Sequence, residues 1–235
     1  MGDLVINGGN IGLDVGNQQF TVRNVTIDGS NTGVKMTWNW GWNFQRIAIR
    51  NAKVGFDVKT GSTVDDKDQG VAGVAIMDGI VSDTPVFYRS SQSSTTLRGS
   101  IVLNNIKLTN VQSVVAILGG ETILRGSEGE MTVDTWVQGN IYAGRDSRGF
   151  HKGHTSSIVK GPSLLENGRM FGKGRPTYAD YDITQIVSVK DHGAKGDGHT
   201  DDTLALQAVF DKVGSQAFVR RLLLIGFCAS SPTAR

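Results

Sequence analysis

The chain has 235 residues, 38% hydrophobic and 20% charged, with 31 glycines, 4 prolines and one cysteine. That balance belongs to a folded chain rather than a disordered one. A net charge of +2 without a Lys/Arg run argues against a nucleic-acid partner. Cys228 alone builds neither a disulfide framework nor a thiolate metal site. No apolar run approaches the ~20 residues that span a bilayer, and Met1–Ile6 shows no secretory leader.

The first organising signal is a repeat. Leu4-x-Ile6-x-Gly8 leads to Gly12-Leu13, Val25-x-Ile27-x-Gly29 to Gly33-Val34, and Ile47-x-Ile49-x-Asn51 to Gly55-Phe56, at offsets of 21 and 22 residues. Looser copies at Val74-x-Ile76-x-Asp78 and Ile106-x-Leu108-x-Asn110 follow at offsets of 27 and 32. Period-2 alternation sends one set of side chains inward. Glycine and asparagine suit the left-handed backbone of a sharp corner. One such unit cannot bury its apolar face, whereas stacked units share a core. The expected fold class is therefore all-β, a right-handed parallel β-helix. Asp28 and Arg50 occupy equivalent places, so they are expected to pair between neighbouring units, a surface contact worth about 0–1 kcal/mol.

Trp38, Trp40, Trp42 and Phe44 alternate at strand spacing and are expected on one face. Such flat rings form either a sugar-binding wall or a packing layer. From 119 to 159 the pattern weakens, although Met131–Val137 still reads as a strand and 144–154 as a long loop. Pro162, Gly168, Gly172, Gly174 and Pro176 then break up 160–182, which reads as a linker. His151 and His154 lack a third ligand, so zinc is not expected.

A second start follows Ile186. A short strand, the glycine-rich turn Asp191–Gly198 and a helix from about Thr203 are expected, with Thr200 as the cap and Asp201 and Asp202 at the positive end of the dipole. Leu206, Val209, Phe210 and Val213 would give that helix one apolar face. Capping accounts for these acids better than calcium, because no complete ligand set surrounds them.

The run Asp191-His-Gly-Ala-Lys-Gly-Asp-Gly-His-Thr-Asp-Asp-Thr203 resembles the opening cap of pectate-lyase-superfamily β-helices. The segments 8–13, 16–20 (Gly-Asn-Gln-Gln-Phe), 38–42, 161–165 and 175–178 resemble fungal exo-β-1,3-glucanases of glycoside hydrolase family 55. The likeness covers about residues 1–213. It implies an extracellular inverting hydrolase of two β-helix lobes, acting on β-1,3-glucan without a cofactor or metal, and contacting neither nucleic acid nor membrane. Residues 1–159 would be later coils of the first lobe, 160–185 a linker, and 186–235 the cap of the second lobe, with an aberrant tail from about 214.

The family's general acid lies in the second lobe, and no residue of this chain matches it. Gln18 maps onto a water-positioning glutamine, or else is an amide in a turn ladder. Arg46 stands where the family has a companion serine. Trp38, Trp40 and Trp42 are the candidate sugar-binding residues. The chain is expected to be a fragment, inactive alone, and to self-associate through exposed coil ends. The alternatives are a non-catalytic β-glucan-binding remnant and a pectin-active enzyme.

Overall fold

The computed structural model describes residues 1–60, 70–91, 99–144, 147–157, 159–172, 182, 186–215 and 222–224. The chain divides into two units, 1–172 and 173–235.

The first unit is a sheet of ten strands: β1 (Gly2–Asn7), β2 (Ile11–Asp28), β3 (Thr32–Arg50), β4 (Val54–Val58), β5 (Gly73–Met77), β6 (Ile80–Ser82), β7 (Val86–Ser90), β8 (Ser100–Ile117), β9 (Thr122–Ala143) and β10 (Ser147–Ser156). From β1 to β8 every pairing is parallel. Equivalent residues stack pass upon pass. Leu13, Val34, Phe56, Tyr88 and Val115 form one inward column. A second column is Val22, Phe44, Ile76, Leu103 and Trp136, and a third Ile27, Ile49, Val81, Leu108 and Met131. All but the last of these residues are buried.

Two columns of left-handed residues mark the corners. Asp3, Asn24, Arg46, Asp78 and Asn105 all have φ between 53° and 58°. Gly8, Gly29, Asn51, Asp83 and Asn110 repeat this one corner later. The amides of these columns tie neighbouring passes together. Asn24 Nδ2 donates to Asp3 Oδ1 (2.8 Å), Asn105 to Asp78 (2.6 Å) and Asn110 to Asp83 (2.9 Å). Asn51 Nδ2 donates to Asp28 Oδ1 at 2.7 Å, so that carboxylate serves a corner amide instead of the expected Arg50.

The glycines of the repeat have a steric cause. A Cβ on Gly12, Gly33 or Gly55 would lie 2.6–2.7 Å from a carbonyl oxygen of the next pass, Gly33, Gly55 or Phe87.

Two expectations are corrected. Of the two looser repeats, Ile106–Asn110 stands in phase with Ile47–Asn51, but the copy between them is Ile80–Ser82 and not Val74–Asp78: Arg50 pairs with Ser82 and Ser82 with Thr109, so the offsets run 32 and then 27. Val74–Asp78 and Ile80–Ser82 both alternate, and the break at Gly79 separates them into β5 and β6. The segment 144–154 is not a loop, because most of it is β10, antiparallel to β9, which is itself antiparallel to β8. Its polar side chains hid a strand held by main-chain bonding. The stretch 160–182 contains a hairpin of β11 (Leu165–Glu166) and β12 (Arg169–Met170) around Asn167-Gly168, both with positive φ. That dipeptide is a strong hairpin signal. The hairpin lies on the first corner column: Arg46 Nη2 donates to Met170 O (3.0 Å), Met170 N to the Asp78 carboxylate (3.1 and 3.2 Å), and Asn105 Nδ2 to Gly168 O (3.0 Å).

In the second unit β13 (Ile186–Ser188) pairs in parallel with β14 (Leu222–Leu224), beyond the point where pattern was expected to end. Helix α1 (Thr203–Ser215) packs Leu206 and Val209 with Val189 and Ala194. Phe210 is instead half exposed, as the buried arc is completed by Ala205. The Val213 side chain, Pro176, residues 175–178 and Cys228 lie outside what is described.

The cap also differs. Asp202 O receives the first helical bond, from Leu206 N, while its carboxylate turns back to the N–H groups of Lys195 and Gly196. Thr200 donates its hydroxyl to Asp197. The N–H groups of Thr200 and His199, with that hydroxyl, hold the Asp197 carboxyl down at about 2, from an ordinary 3.8. Its folded value is depressed, so its contribution to stability is complete above about 3.8 and lost as pH falls through about 2. A carbon-detected NMR titration should place the Asp197 midpoint well below those of ordinary carboxylates. A midpoint near 3.8 would contradict these contacts.

Candidate functional site

Outward-facing positions of four successive strands surround a groove of about 780 Å³, within the range of small-ligand sites. Its rows follow the register: Gln19 and Thr21 from β2, Gly41 and Asn43 from β3, Gly73 and Ala75 from β5, Ser100 and Val102 from β8. At the ~4.8 Å spacing of neighbouring strands, the groove runs about 14 Å across the sheet. Phe20, Trp42 and Val74, which alternate with these rows, complete the lining.

A layered aromatic stack lies on the inward side of the sheet beneath the groove. Phe44 and Trp42 are buried, and Phe20, 38% exposed, rests on Trp42 with centroids 5.1 Å apart and planes tilted by 31°. Trp42 Nε1 donates to Asn17 O at 3.0 Å, which fixes the indole plane. Beneath it the stack continues through Phe44 to Phe56, at 5.9 and 4.9 Å. Phe20 stands in the inward column of Trp42 and Val74, so its ring points away from the outward rows of the groove.

The four rings expected on one face are divided. Trp42 and Phe44 point inward; Trp40 is 55% exposed and Trp38 is partly covered. Strict alternation fails because corners intervene: inward positions in β3 run 34, 36, 39, 42, 44 and 47. Trp38 lies against Gly16, where a Cβ would meet its ring at 2.8 Å. Of the three candidate tryptophans only Trp42 lines the groove.

Gln18 is exposed, and its N–H donates to Asn17 Oδ1 at 2.8 Å. The neighbouring Gln19 lines the groove. Gln19 and Phe20, missed at the sequence level, belong to the same Gly-Asn-Gln-Gln-Phe segment; only the register separates them from Gln18. Arg46 is committed to the β11–β12 hairpin at a positive φ. His151 and His154 have ring centroids 5.8 Å apart, and among the described residues no three acidic, histidine or cysteine side chains converge on a metal-sized space.

No residue that lines the groove carries a charge. Residues 1–57 match the family described as rhamnogalacturonase A/epimerase, pectate lyase-like. The chain is 38% identical to a glucan 1,3-beta-glucosidase of Cochliobolus carbonum, over 92% of this chain and 27% of the relative. It is 26% identical to a probable glucan endo-1,3-beta-glucosidase of Arthroderma benhamiae, over 93% and 35%. It is 32% identical to the non-secreted LysM effector LysM19 of Penicillium expansum, over 89% and 17%. These likenesses agree with the glycoside hydrolase family 55 group that the motifs of the chain resemble. It spans about a quarter to a third of the length of the two glucanase relatives.

Proposed function

We propose that the chain supplies the sugar-seating part of an extracellular inverting exo-β-1,3-glucanase and that its first unit is a right-handed parallel β-helix. Parallel pairing at offsets of 21–22 residues, with inward columns in phase, supports the β-helix. Residues 1–159 are read as later coils of one lobe, 160–185 as a linker and 186–235 as the start of another. Because β1 pairs on one side only among the described residues, self-association through its outer edge belongs to the same reading.

The observation that carries the function is the groove, in a chain 38% identical to a glucan 1,3-beta-glucosidase. The outward rows of the groove seat sugar rings, and Gln19 with the adjoining Gln18 offers the amides that orient a water. Trp38 and Trp40 flank this surface. No lining residue carries a charge, which favours a neutral glucan over a polyuronate that would need cationic partners.

Inversion requires a general acid across the scissile bond from the water, and the family keeps that acid in its second lobe. Alone, the chain is expected to bind β-1,3-gluco-oligosaccharides and to release no glucose from them. Calorimetric titration with laminarihexaose, beside cellohexaose and an oligogalacturonide, checks this. Preference for laminarihexaose without turnover is the expected result. Preference for the oligogalacturonide would replace the reading with a pectin-binding one, and glucose release would overturn the assignment of the acid.

A further inference from the structure

The groove owes its open floor to two glycines that the sheet does not require. The glycines at 12, 33 and 55 are forced by carbonyls 2.6–2.7 Å from any Cβ, and Gly16 by the ring of Trp38. Gly41 is unlike them: a Cβ there meets nothing within 4 Å. At Gly73 it meets only main-chain oxygens at 3.9 and 4.0 Å, an ordinary contact. Neither has a positive φ. Glycine inside a strand weakens it and often marks close approach by a ligand or another backbone. Here both sit on adjacent strands in the middle of a 780 Å³ cavity.

Resting on the glucan reading above, we propose that Gly41 and Gly73 are clearance residues of a glucosyl subsite. A pyranose ring lies flat on the bare backbone at these positions. Gln19, Asn43 and Ser100 bond its hydroxyls from the rim.

The test uses the full chain with Gly41→Leu and Gly73→Leu, titrated with laminarihexaose, cellohexaose and an oligogalacturonide, each variant also melted. Gly41→Leu and Gly73→Leu are expected to keep or raise the melting temperature and to weaken laminarihexaose binding at least tenfold. Unchanged laminarihexaose affinity in Gly41→Leu overturns the clearance role and leaves the glucan reading standing. Native binding of the oligogalacturonide instead, blocked by Gly41→Leu, overturns the glucan reading and keeps the subsite. A Gly41→Leu variant that fails to fold overturns the inference, since the position would then be needed by the sheet. Binding of no sugar by the native chain overturns both.

Discussion

Phe56→Ala is expected to lower the stability of the first unit by about 3–5 kcal/mol. The ring is fully buried. It packs edge-on against Phe44 (4.9 Å, 84°) and Phe87 (5.7 Å, 86°) and is stacked near Tyr88 (6.3 Å, 19°). Removing it leaves three rings around a void that the flanking passes cannot close, because main-chain pairing on both sides fixes their spacing. Aromatic pairs add about 0.5–1.5 kcal/mol each beyond buried area, so the upper half of that range is expected. The Tyr88 hydroxyl is buried without a partner among the described residues, and burial pushes its ionisation far above the ordinary range. Urea unfolding followed by tryptophan fluorescence measures the change, and a loss below about 1 kcal/mol would show that the rings repack.

Gly33→Ala should cost about 1–3 kcal/mol, the usual range for overpacking a core. The added methyl would lie 2.7 Å from Gly55 O and 3.2 Å from two atoms of Ile49. A backbone oxygen inside a parallel ladder cannot retreat without stretching the bonds of its neighbours, so two passes must part. Gly41→Ala in the same strand serves as the internal comparison. With open space around it, alanine there is expected to be neutral or to add up to about 0.5–1 kcal/mol. Thermal melts of the two variants should diverge in sign, and equal melting temperatures would remove the distinction between forced and unforced glycines.

That distinction shows how far the sequence could be read. Gly12, Gly33 and Gly55 stood at constant phase, and so did the inward pairs Val25/Ile27 and Ile47/Ile49, because a stacked ladder repeats the same steric demand at each pass. The third and fourth passes were harder. Val74–Asp78 satisfies the same alternation as Ile80–Ser82, and only main-chain pairing decides which one faces Ile49. The aromatic run failed for a related reason. Alternation places Trp38, Trp40, Trp42 and Phe44 on one face only while the strand is straight, and corners at 36–39 and 39–42 turn it twice. The groove was visible as chemistry, in Gly-Asn-Gln-Gln-Phe and the tryptophans, but not as geometry. Gln19 rather than Gln18 lines it, and half of its floor comes from glycine, alanine and serine on strands that carry no motif.

The corner beside the groove is where the passes differ in length. One residue separates Val15 from Asn17, two separate Met36 from Asn39, and twelve separate Val58 from Val71, while the columns on either side stay aligned. The frame therefore tolerates lengthening at one seam without disturbing its interior. Variation written at that seam changes the border of the groove while the stacked columns stay intact. Descendants of such a chain can alter which sugars they admit by trimming or extending loops, at little risk to folding.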